Sequence, residues 1–401
     1  MSTKKSKSDL SKLKIKTQLS HVGRKHGYSD GLVNLPVQRG STVLFENCNT
    51  MKQAGHKAAQ YKQESVATYG RHGTTPTFEF EQAMTQLYHG YNAVACASGT
   101  AAATVALSAL LKAGDHILMV DSAYGPTRKY CDEYLSKFNI TTTYYSPRIG
   151  ADIESLIQEK TKIIYLESPG SLTFEVQDTP AIVKVAKSKG IYTLMDNTWA
   201  TALYHQPLEV GVDGVIESAT KYIGGHSDIL MGILVGTEQT YPLFKKSAVV
   251  QGQYVAADEI YLALRGLRTL SVRLEKQSQT ALELSQWLQT LPNIAKVHNP
   301  CLPNHPDHHL WKRDFSGASG LFAIELKPQY TIKSAETFVD ALQLFGIGFS
   351  WGGFESLAIP VYLDGIRSVS AKPAGPLIRF SIGLEDLEDL KQDILQALNK
   401  E

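Results

Sequence analysis

Residues 92–120 read NAVACASGTAAATVALSALLKAGDHILMV, and this stretch decides the fold. Its two ends, Asn92–Cys96 and His116–Val120, are short runs of strand-forming residues. Between them lies Gly99–Leu111, a segment of helical length that is rich in alanine and leucine and is ended by Gly114. A strand, a helix and a second strand of these lengths predict a βαβ unit, in which the two strands lie parallel in one sheet.

The same alternation continues as far as residue 235. Repeated strand–helix units of this length are typical of an α/β fold with a mainly parallel central sheet. The predicted strands are Thr141–Tyr145, Ile163–Glu167, Tyr192–Asp196 and Ile229–Val235, and the predicted helices are Thr127–Lys137 and Thr179–Lys189.

The pattern changes on both sides of this region. Residues 259–291 are mostly helical, with Gly266 as the expected break, whereas the first seventy residues have little periodicity. We therefore predict an extended arm at 1–73 that contacts a neighbouring subunit, an α/β domain at 74–267 and a smaller α+β domain at 268–401. The strands predicted in the last domain are 295–298, 321–325 and 377–382, and its helices are 335–344 and 387–398.

The composition is that of an ordinary globular protein. The chain has 401 residues, 43% of them apolar, and a formal net charge of +1, so no overall field attracts nucleic acid or an acidic membrane. Residues 1–25 hold eight Lys or Arg and one Asp; we interpret them as a solvated tail, with a nucleic-acid-binding arm as the alternative. No apolar run is long enough to span a membrane. Four widely spaced cysteines without a CxxC pair are typical of a reducing compartment, and we predict a cytoplasmic protein.

Several common catalytic motifs are absent. The sequence has no GxxxxGK[ST] phosphate loop, no GxGxxG after the first strand, no HExxH and no GxSxG. Cys301, His305, His308 and His309 lie close together, but their spacing is not a standard zinc pattern. Because prolines and other turn-forming residues surround them, we interpret this segment as a solvent-exposed loop and predict no metal site.

One segment carries most of the chemical information. Residues 217–228 read ESATKYIGGHSD, and Lys221 comes shortly after Ser218 and Thr220. In extended backbone, residues two apart point the same way, so both hydroxyls would lie beside the amine. Two hydroxyls and an amine suit a phosphorylated carbonyl compound, because hydroxyls donate to phosphate and an amine reacts with a carbonyl. A surface lysine after a polar strand is the alternative interpretation.

Three further segments support a cofactor site at the carboxyl edge of the sheet, where open α/β sheets bind ligands. Asp196 ends a predicted strand and can keep a pyridine nitrogen protonated, or alternatively cap the following turn. Ser98, Gly99 and Thr100 open a predicted helix, whose free N–H groups bind anions, and Ser98 also fits a plain N-cap. Tyr124 follows a strand and can stack on a flat cofactor or fill the core.

Near the C-terminus, Arg379 lies in an otherwise apolar predicted strand. A buried guanidinium needs a partner. A substrate carboxylate that binds in bidentate fashion would satisfy it, and so would an internal Asp or Glu.

On these motifs the chain resembles the cysteine/methionine-metabolism family of pyridoxal-phosphate-dependent enzymes, which have the fold of aspartate aminotransferase. The resemblance extends from about residue 17 to residue 399, and its most specific part is residues 218–228. It implies an α/β fold of the three-layer PLP-transferase type (fold type I), with a mainly parallel central sheet and a smaller C-terminal α+β domain. It also implies pyridoxal 5′-phosphate as the cofactor and a homo-oligomer, usually a tetramer, built from catalytic dimers.

The resemblance implies a role for each candidate residue. Lys221 holds the cofactor covalently and acts as general base, Asp196 pairs with the ring nitrogen, and Tyr124 stacks on the ring and takes part in catalysis. The phosphate is bound by Ser98, Gly99, Thr100, Ser218 and Thr220, and by Tyr69 and Arg71 of a neighbouring subunit. The amino-acid substrate is bound by Arg379, which holds its α-carboxylate, and by Ser350, Trp351 and Tyr69.

Within the family, the stretch SWGGFESL at residues 350–357 is similar to bacterial members that cleave L-cystathionine to homocysteine, pyruvate and ammonia in methionine biosynthesis. Related members usually have a small aliphatic residue in place of Trp351. The alternatives on the same scaffold are the reactions of cystathionine γ-synthase, cystathionine γ-lyase, methionine γ-lyase and cysteine desulfhydrase. His72 and Lys129 depart from the pattern of this group at positions that concern the far end of the substrate.

Overall fold

The computed structural model describes residues 10–24, 32–63 and 65–398, so residues 1–9 and 25 of the basic segment at 1–25 lie outside it. The N-terminal part is more regular than predicted. It contains the helices α1 (Ile15–His21) and α2 (Cys48–Ala58), and α3 (Thr75–Leu87) follows. Helix α2 begins at a reciprocal cap between Asn47 and Thr50, a local signal that periodicity does not detect.

A seven-stranded sheet forms the centre of the fold, in the order β1-β7-β6-β5-β4-β2-β3. Strands β2 to β6 are parallel to one another, whereas β7 is antiparallel to both of its neighbours. The predicted α/β fold with a mainly parallel sheet is confirmed. The strands are β1 (Asn92–Cys96), β2 (His116–Val120), β3 (Thr141–Tyr145), β4 (Thr161–Glu167), β5 (Tyr192–Asp196), β6 (Gly214–Ser218) and β7 (Gly232–Gly236).

Two strands differ from the prediction. The sequence patterns do not predict β6, and the strand expected from Ile229 begins at Gly232. Ile229 and Met231 are buried, which explains the apolar signal. However, the carbonyl of Met231 accepts a hydrogen bond from the N–H of Thr220 in the turn after β6. Met231 is therefore not among the residues that pair β6 with β7.

Helices cover both faces of this sheet. Along β1, Val94 and Cys96 belong to one buried cluster, whereas Ala93 and Ala95 belong to another. Alternate residues of a strand point to opposite faces, so the sheet is buried on both sides. The helices are α4 (Gly99–Leu110), α5 (Gly125–Lys129, which continues through helical turns to Phe138), α6 (Thr179–Ser188), α7 (Thr201–Tyr204), α8 (Pro207–Val210), α9 (Tyr241–Val250), α10 (Ala257–Leu267) and α11 (Leu270–Leu288). No helix in the described part of the chain has the length and apolar character needed to cross a membrane.

A second, antiparallel sheet follows in the order β10-β11-β9-β8, as expected of a smaller α+β unit. Strand β10 is not predicted, because Pro360 interrupts its apolar run; Pro is tolerated there since β10 is an edge strand. The strands are β8 (Ile294–His298), β9 (Leu321–Leu326), β10 (Leu357–Val361) and β11 (Leu377–Ser381), and the helices are α12 (His308–Asp314), α13 (Ile332–Ala341) and α14 (Leu387–Leu398).

The histidine-rich segment is only in part the solvent-exposed loop that its prolines predict, because His309 is exposed but several of its neighbours are not. The side chains of Cys301, His305 and Asp307 are buried. Asp307 accepts hydrogen bonds from Nε of Arg148 at 2.7 Å and from the backbone N–H of Val176 at 3.1 Å. The segment is therefore a packed contact between the two sheets. Within the described residues, no group of three or more His, Cys, Asp or Glu side chains is arranged to hold a metal ion.

The break between α10 and α11 lies at residues 268–269, not at Gly266. Gly266 instead lies inside α10, where it allows a close contact with a neighbouring turn. A Cβ atom at this position would lie 2.0 Å from the carbonyl oxygen of Ile223 and 2.8 Å from that of Gly224. Because only glycine permits this approach, α10 packs directly against the turn that carries Lys221.

We expect Gly266→Ala to lower the free energy of unfolding by about 1–3 kcal/mol, because the added methyl group must push the turn away. Urea denaturation followed by circular dichroism measures the change. Gly55→Ala in α2 is the matched control, since nothing lies within 4 Å of its Cβ position. That variant should be neutral or more stable by up to about 1 kcal/mol. Equal stability of Gly266→Ala and the wild type would contradict the packing argument.

Candidate active site

The segment that carries Lys221 is a turn, not extended backbone. Strand β6 ends at Ser218, and the N–H of Lys221 then donates to the Ser218 carbonyl at 3.1 Å. The expectation that the hydroxyls of Ser218 and Thr220 share one face of extended backbone is therefore wrong. The Thr220 hydroxyl instead accepts from the N–H of Met231 at 3.0 Å. The Ser218 hydroxyl faces Gly99, where a Cβ atom would lie 2.7 Å from it.

The start of α4 forms a cradle for an anion next to Ser218. Ser98 caps the helix by accepting from the N–H of Ala101 at 3.0 Å. The first N–H groups of a helix have no partner within the helix and bind anions well. Gly232 of β7 pairs with both Cys96 and Ser218, so the ends of β1 and β6 lie on either side of it. The structure thus brings Ser98, Gly99 and Ser218, which are far apart in the sequence, together at one edge of the sheet.

The Lys221 amine lies where the two sheets meet. Its Nζ donates to the Ser350 hydroxyl at 2.5 Å and lies 5.2 Å from the ring centre of Trp351. Burial lowers the pKa of Lys221 to about 8; the positive charge of Arg379 also lowers it, and Asp196 opposes the shift. An appreciable fraction of this amine is therefore neutral near physiological pH, which a nucleophile or general base requires.

Two carboxyl groups lie side by side at the carboxyl edge of the central sheet. Asp196 ends β5, and its Oδ1 accepts from both the N–H and the hydroxyl of Thr198, at 2.9 and 2.6 Å. Glu167 is its partner in β4, and it accepts from the backbone N–H of Tyr124 at 2.7 Å. Burial raises the pKa of Asp196. Burial also raises the pKa of Glu167, and repulsion from the charge of Asp196 adds to this shift. The Tyr124 side chain is 44% exposed, so one face is free to cover a ligand.

Arg379 enters the site from β11 of the second sheet. Its side chain is buried, and Nη2 donates to the Ser350 carbonyl at 2.8 Å. Its Nε is buried without a partner, and within the described residues no Asp or Glu lies within 4 Å of this guanidinium. Burial lowers the pKa of Arg379 to about 10. The sequence allows either a substrate carboxylate or an internal Asp or Glu as the partner of Arg379. The structure fits the substrate carboxylate.

Tyr69 and Arg71 are not brought to the site by their own chain. Both side chains are exposed. In the described part of the chain, their ring and cation contacts are with each other, at 5.7 Å, and between Tyr69 and His72. Lys129 is also exposed and lies 3.8 Å from Glu133 on its own helix.

The sequence patterns miss two residues of the site. Glu167 ends an apolar strand in the same way as Asp196, so the rule that found Asp196 would have found it too. Tyr222 has no such signal. Its ring lies 5.3 Å from that of Trp351, and its hydroxyl accepts from the N–H of Gly320 at 3.0 Å. This contact fixes the Trp351 side of the site through the second sheet.

These observations fit pyridoxal phosphate. The cradle of Ser98, Gly99 and Ser218 suits a phosphate, and the amine of Lys221 with its lowered pKa suits an aldehyde. The carboxyl group of Asp196 has one oxygen occupied by Thr198, which leaves the other to pair with a pyridine nitrogen. The unpartnered Nε of Arg379 suits the carboxylate of an amino acid.

Comparisons with known proteins agree with this geometry. The family model for Cys/Met metabolism PLP-dependent enzymes matches residues 16–399. A putative cystathionine beta-lyase of Rhizobium johnstonii is 44% identical over 95% of this chain and 94% of its own length. Cystathionine beta-lyase MetC of Escherichia coli is 40% identical over 95% of this chain and 97% of its own length.

The fold also matches a solved structure. The crystal structure of metB from Corynebacterium glutamicum has a TM-score of 0.87 and 28% identity to this chain, and covers 98% of this chain and 99% of its own. Since the family model matches nearly the whole chain, the protein belongs to the Cys/Met metabolism family of PLP-dependent enzymes.

Proposed function

We propose that the protein is a carbon–sulfur lyase that converts L-cystathionine to homocysteine, pyruvate and ammonia by α,β-elimination. The observation that carries this proposal is the contact of the Lys221 amine with Ser350 and Trp351, beside the guanidinium of Arg379, whose Nε has no partner in the described part of the chain. The names of the relatives from Rhizobium johnstonii and Escherichia coli support the same reaction.

The cofactor would be held by residues from three parts of the central sheet. Asp196 would pair with the ring nitrogen, Tyr124 would cover the ring, and Lys221 would bind the aldehyde carbon. The phosphate would be bound by Ser98, Gly99, Thr100, Ser218 and Thr220. When bound, pyridoxal phosphate supplies an electron sink that makes the proton on the substrate Cα removable.

The side chains of this protein would perform the remaining work. Arg379, with Ser350, orients the substrate by its α-carboxylate. Lys221, once free, takes the proton from Cα at Nζ, because burial keeps part of this amine neutral. Burial and the nearby carboxyl groups raise the pKa of Tyr124, so its hydroxyl keeps its proton. Either Tyr124 or Lys221 then protonates the leaving sulfur, and Trp351 limits water at Lys221.

The products test this proposal. The holoenzyme should convert L-cystathionine to pyruvate and a free thiol identified as homocysteine, and mass spectrometry of the oxo acid makes the distinction. Formation of 2-oxobutyrate and cysteine would instead support γ-elimination. Lys221→Ala is the control, and it should abolish either reaction while folding normally. A wild-type holoenzyme that releases neither oxo acid would contradict the lyase proposal.

The pKa of Lys221 has its own test in the apoprotein. Burial and Arg379 disfavour the charged amine, so Lys221 should become reactive toward traces of acetic anhydride with a midpoint near pH 8. Peptide mass spectrometry across pH 6–11 measures this profile. Removing the like charge in Arg379→Leu should move the midpoint upward. An unchanged midpoint in that variant would show that Arg379 does not act on Lys221.

We also propose that the site is shared between two copies of the chain, in a tetramer built from catalytic dimers. The exposed side chains of Tyr69 and Arg71, which contact each other and not Lys221, support this arrangement. The domain boundaries at 73/74 and 267/268 remain our proposal. A cytoplasmic location is supported by the four cysteines, all of which are free.

Subunit complementation tests the shared site. Arg71→Ala and Lys221→Ala should each be inactive as separate proteins. Mixed by co-expression, they should regain up to about a quarter of wild-type activity, since a dimer of two different variants keeps one intact site. The control mixture of Lys221→Ala with Asp196→Ala, two substitutions on the same side of the site, should stay inactive. No recovery in the first mixture would contradict a site shared through Arg71.

A further inference from the structure

Asp121 has an unusually complete set of hydrogen-bond donors. It follows β2 directly, and its side chain is fully buried. One oxygen accepts from the N–H and the hydroxyl of Ser368, both at 2.9 Å, and from Nη1 of Arg128 at 3.2 Å. The other accepts from the N–H groups of Val369 and Ser370 at 3.0 and 2.8 Å. Three consecutive backbone donors thus converge on one carboxylate.

These donors belong to residues 362–376, the connection between β10 and β11, which we call the β10–β11 loop. Arg367 attaches the same loop a second time, by donating to the carbonyl of Ser171 and to the hydroxyl of Thr173. Ser171 and Thr173 follow β4 of the central sheet, and Arg367 is buried. The loop of the second sheet is therefore anchored at two points on the central sheet.

The anchor lies next to the residues that would hold the cofactor ring. Tyr124 comes three residues after Asp121, and its N–H donates to Glu167. Between them, the carbonyl of Ser122 accepts from the N–H of Ser171 at 2.8 Å. One hydrogen-bonded junction therefore joins three segments: residues 121–124, the segment after β4 and the β10–β11 loop.

The other end of the β10–β11 loop leads straight into β11, which carries Arg379 only three residues after the loop ends. An amino acid that reaches both halves of the site has its α-carbon bonded directly to its carboxylate. The residues that would hold the cofactor ring lie on the central sheet, and Arg379 lies on the second sheet. The distance between them must therefore be closely fixed.

We propose that Asp121 is a positioning residue that sets this spacing, because it binds the β10–β11 loop to residues 121–124. The inference rests on the proposed function, since it assumes that Arg379 receives the substrate carboxylate. The charged groups that face Asp121 are Arg128, which is also buried, and Arg367 of the loop. Hydrogen bonds from Ser370, Ser368 and Val369 overcome the effect of burial and lower the pKa of Asp121 to about 2, so it stays ionised in the working enzyme.

Asp121→Asn tests this role with little change in the shape of the side chain. An amide can accept at one end only, so its NH₂ group would face buried N–H donors of the loop. We expect hydrogen exchange in residues 362–376 to become about tenfold faster, because two or more buried donors lose their acceptor. Asp364→Asn is the matched control, since Asp364 lies in the same loop but is exposed, and among the described residues its side chain pairs with Lys372 alone.

Two small ligands separate positioning from general damage. Glycine and methylamine both react with a bound aldehyde, but only glycine has a carboxylate for Arg379. In the Asp121→Asn holoenzyme, glycine should bind about tenfold more weakly, as judged from the cofactor absorption, because the carboxylate half is displaced. Methylamine should bind as it does to the wild type. Equal loss of both ligands, or no loss of glycine affinity, overturns the proposal.

Arg367→Gln provides a second route if Asp121→Asn does not fold. It removes the other anchor without changing β2, and it should show the same selective loss of glycine affinity and faster exchange in the loop. Unchanged binding and exchange in Arg367→Gln would also overturn the proposal. The ligand tests do not need cystathionine turnover, so a wild type that makes no pyruvate refutes the proposed function and leaves the positioning test intact.

Discussion

The contact between the Lys221 amine and the Ser350 hydroxyl is the constraint on which the site depends, because the two residues belong to different sheets. Lys221 follows β6 of the central sheet, whereas Ser350 precedes β10 of the second sheet and also binds Arg379 through its carbonyl. One reacting molecule must therefore be held by groups whose relative position is set by packing between sheets. The close approach of α10 at Gly266 and the Asp121 junction both act on this relative position.

The site also gathers charged groups where little water reaches them. Asp196 and Arg379 act on the charge of Lys221, and Glu167 lies beside Asp196. Burial shifts the pKa of each of these four groups in the direction that favours its neutral form. Such groups are costly to bury unless they are paired. Thr198 supplies part of the pairing for Asp196, and a protonated ring and a substrate carboxylate would supply the rest for Asp196 and Arg379. The burial that shifts these pKa values therefore also favours the binding of groups that pair with Asp196 and Arg379.

Local patterns predict the central sheet well, because a buried strand such as β2 is a continuous apolar run that needs no distant information. They fail where the signal comes from elsewhere in the chain. Ile229 and Met231 are as apolar as a strand, yet Met231 pairs with Thr220 in a turn. The proline-rich segment around His305 has the composition of a surface loop, but Arg148 and Val176 draw Asp307 into a buried contact.

The candidate site divides in the same way. Lys221, Asp196, Ser98, Tyr124 and Arg379 can be selected as candidates from the sequence, because a polar or charged residue that follows or interrupts an apolar strand is a local feature. The family follows too, since its motifs are contiguous. Tertiary structure alone decided that Ser350 meets Lys221, that Glu167 lies beside Asp196, and that the β10–β11 loop closes on Asp121. Each of these contacts joins residues 29 to 249 positions apart, and no local pattern contains the sheet order and packing that bring them together.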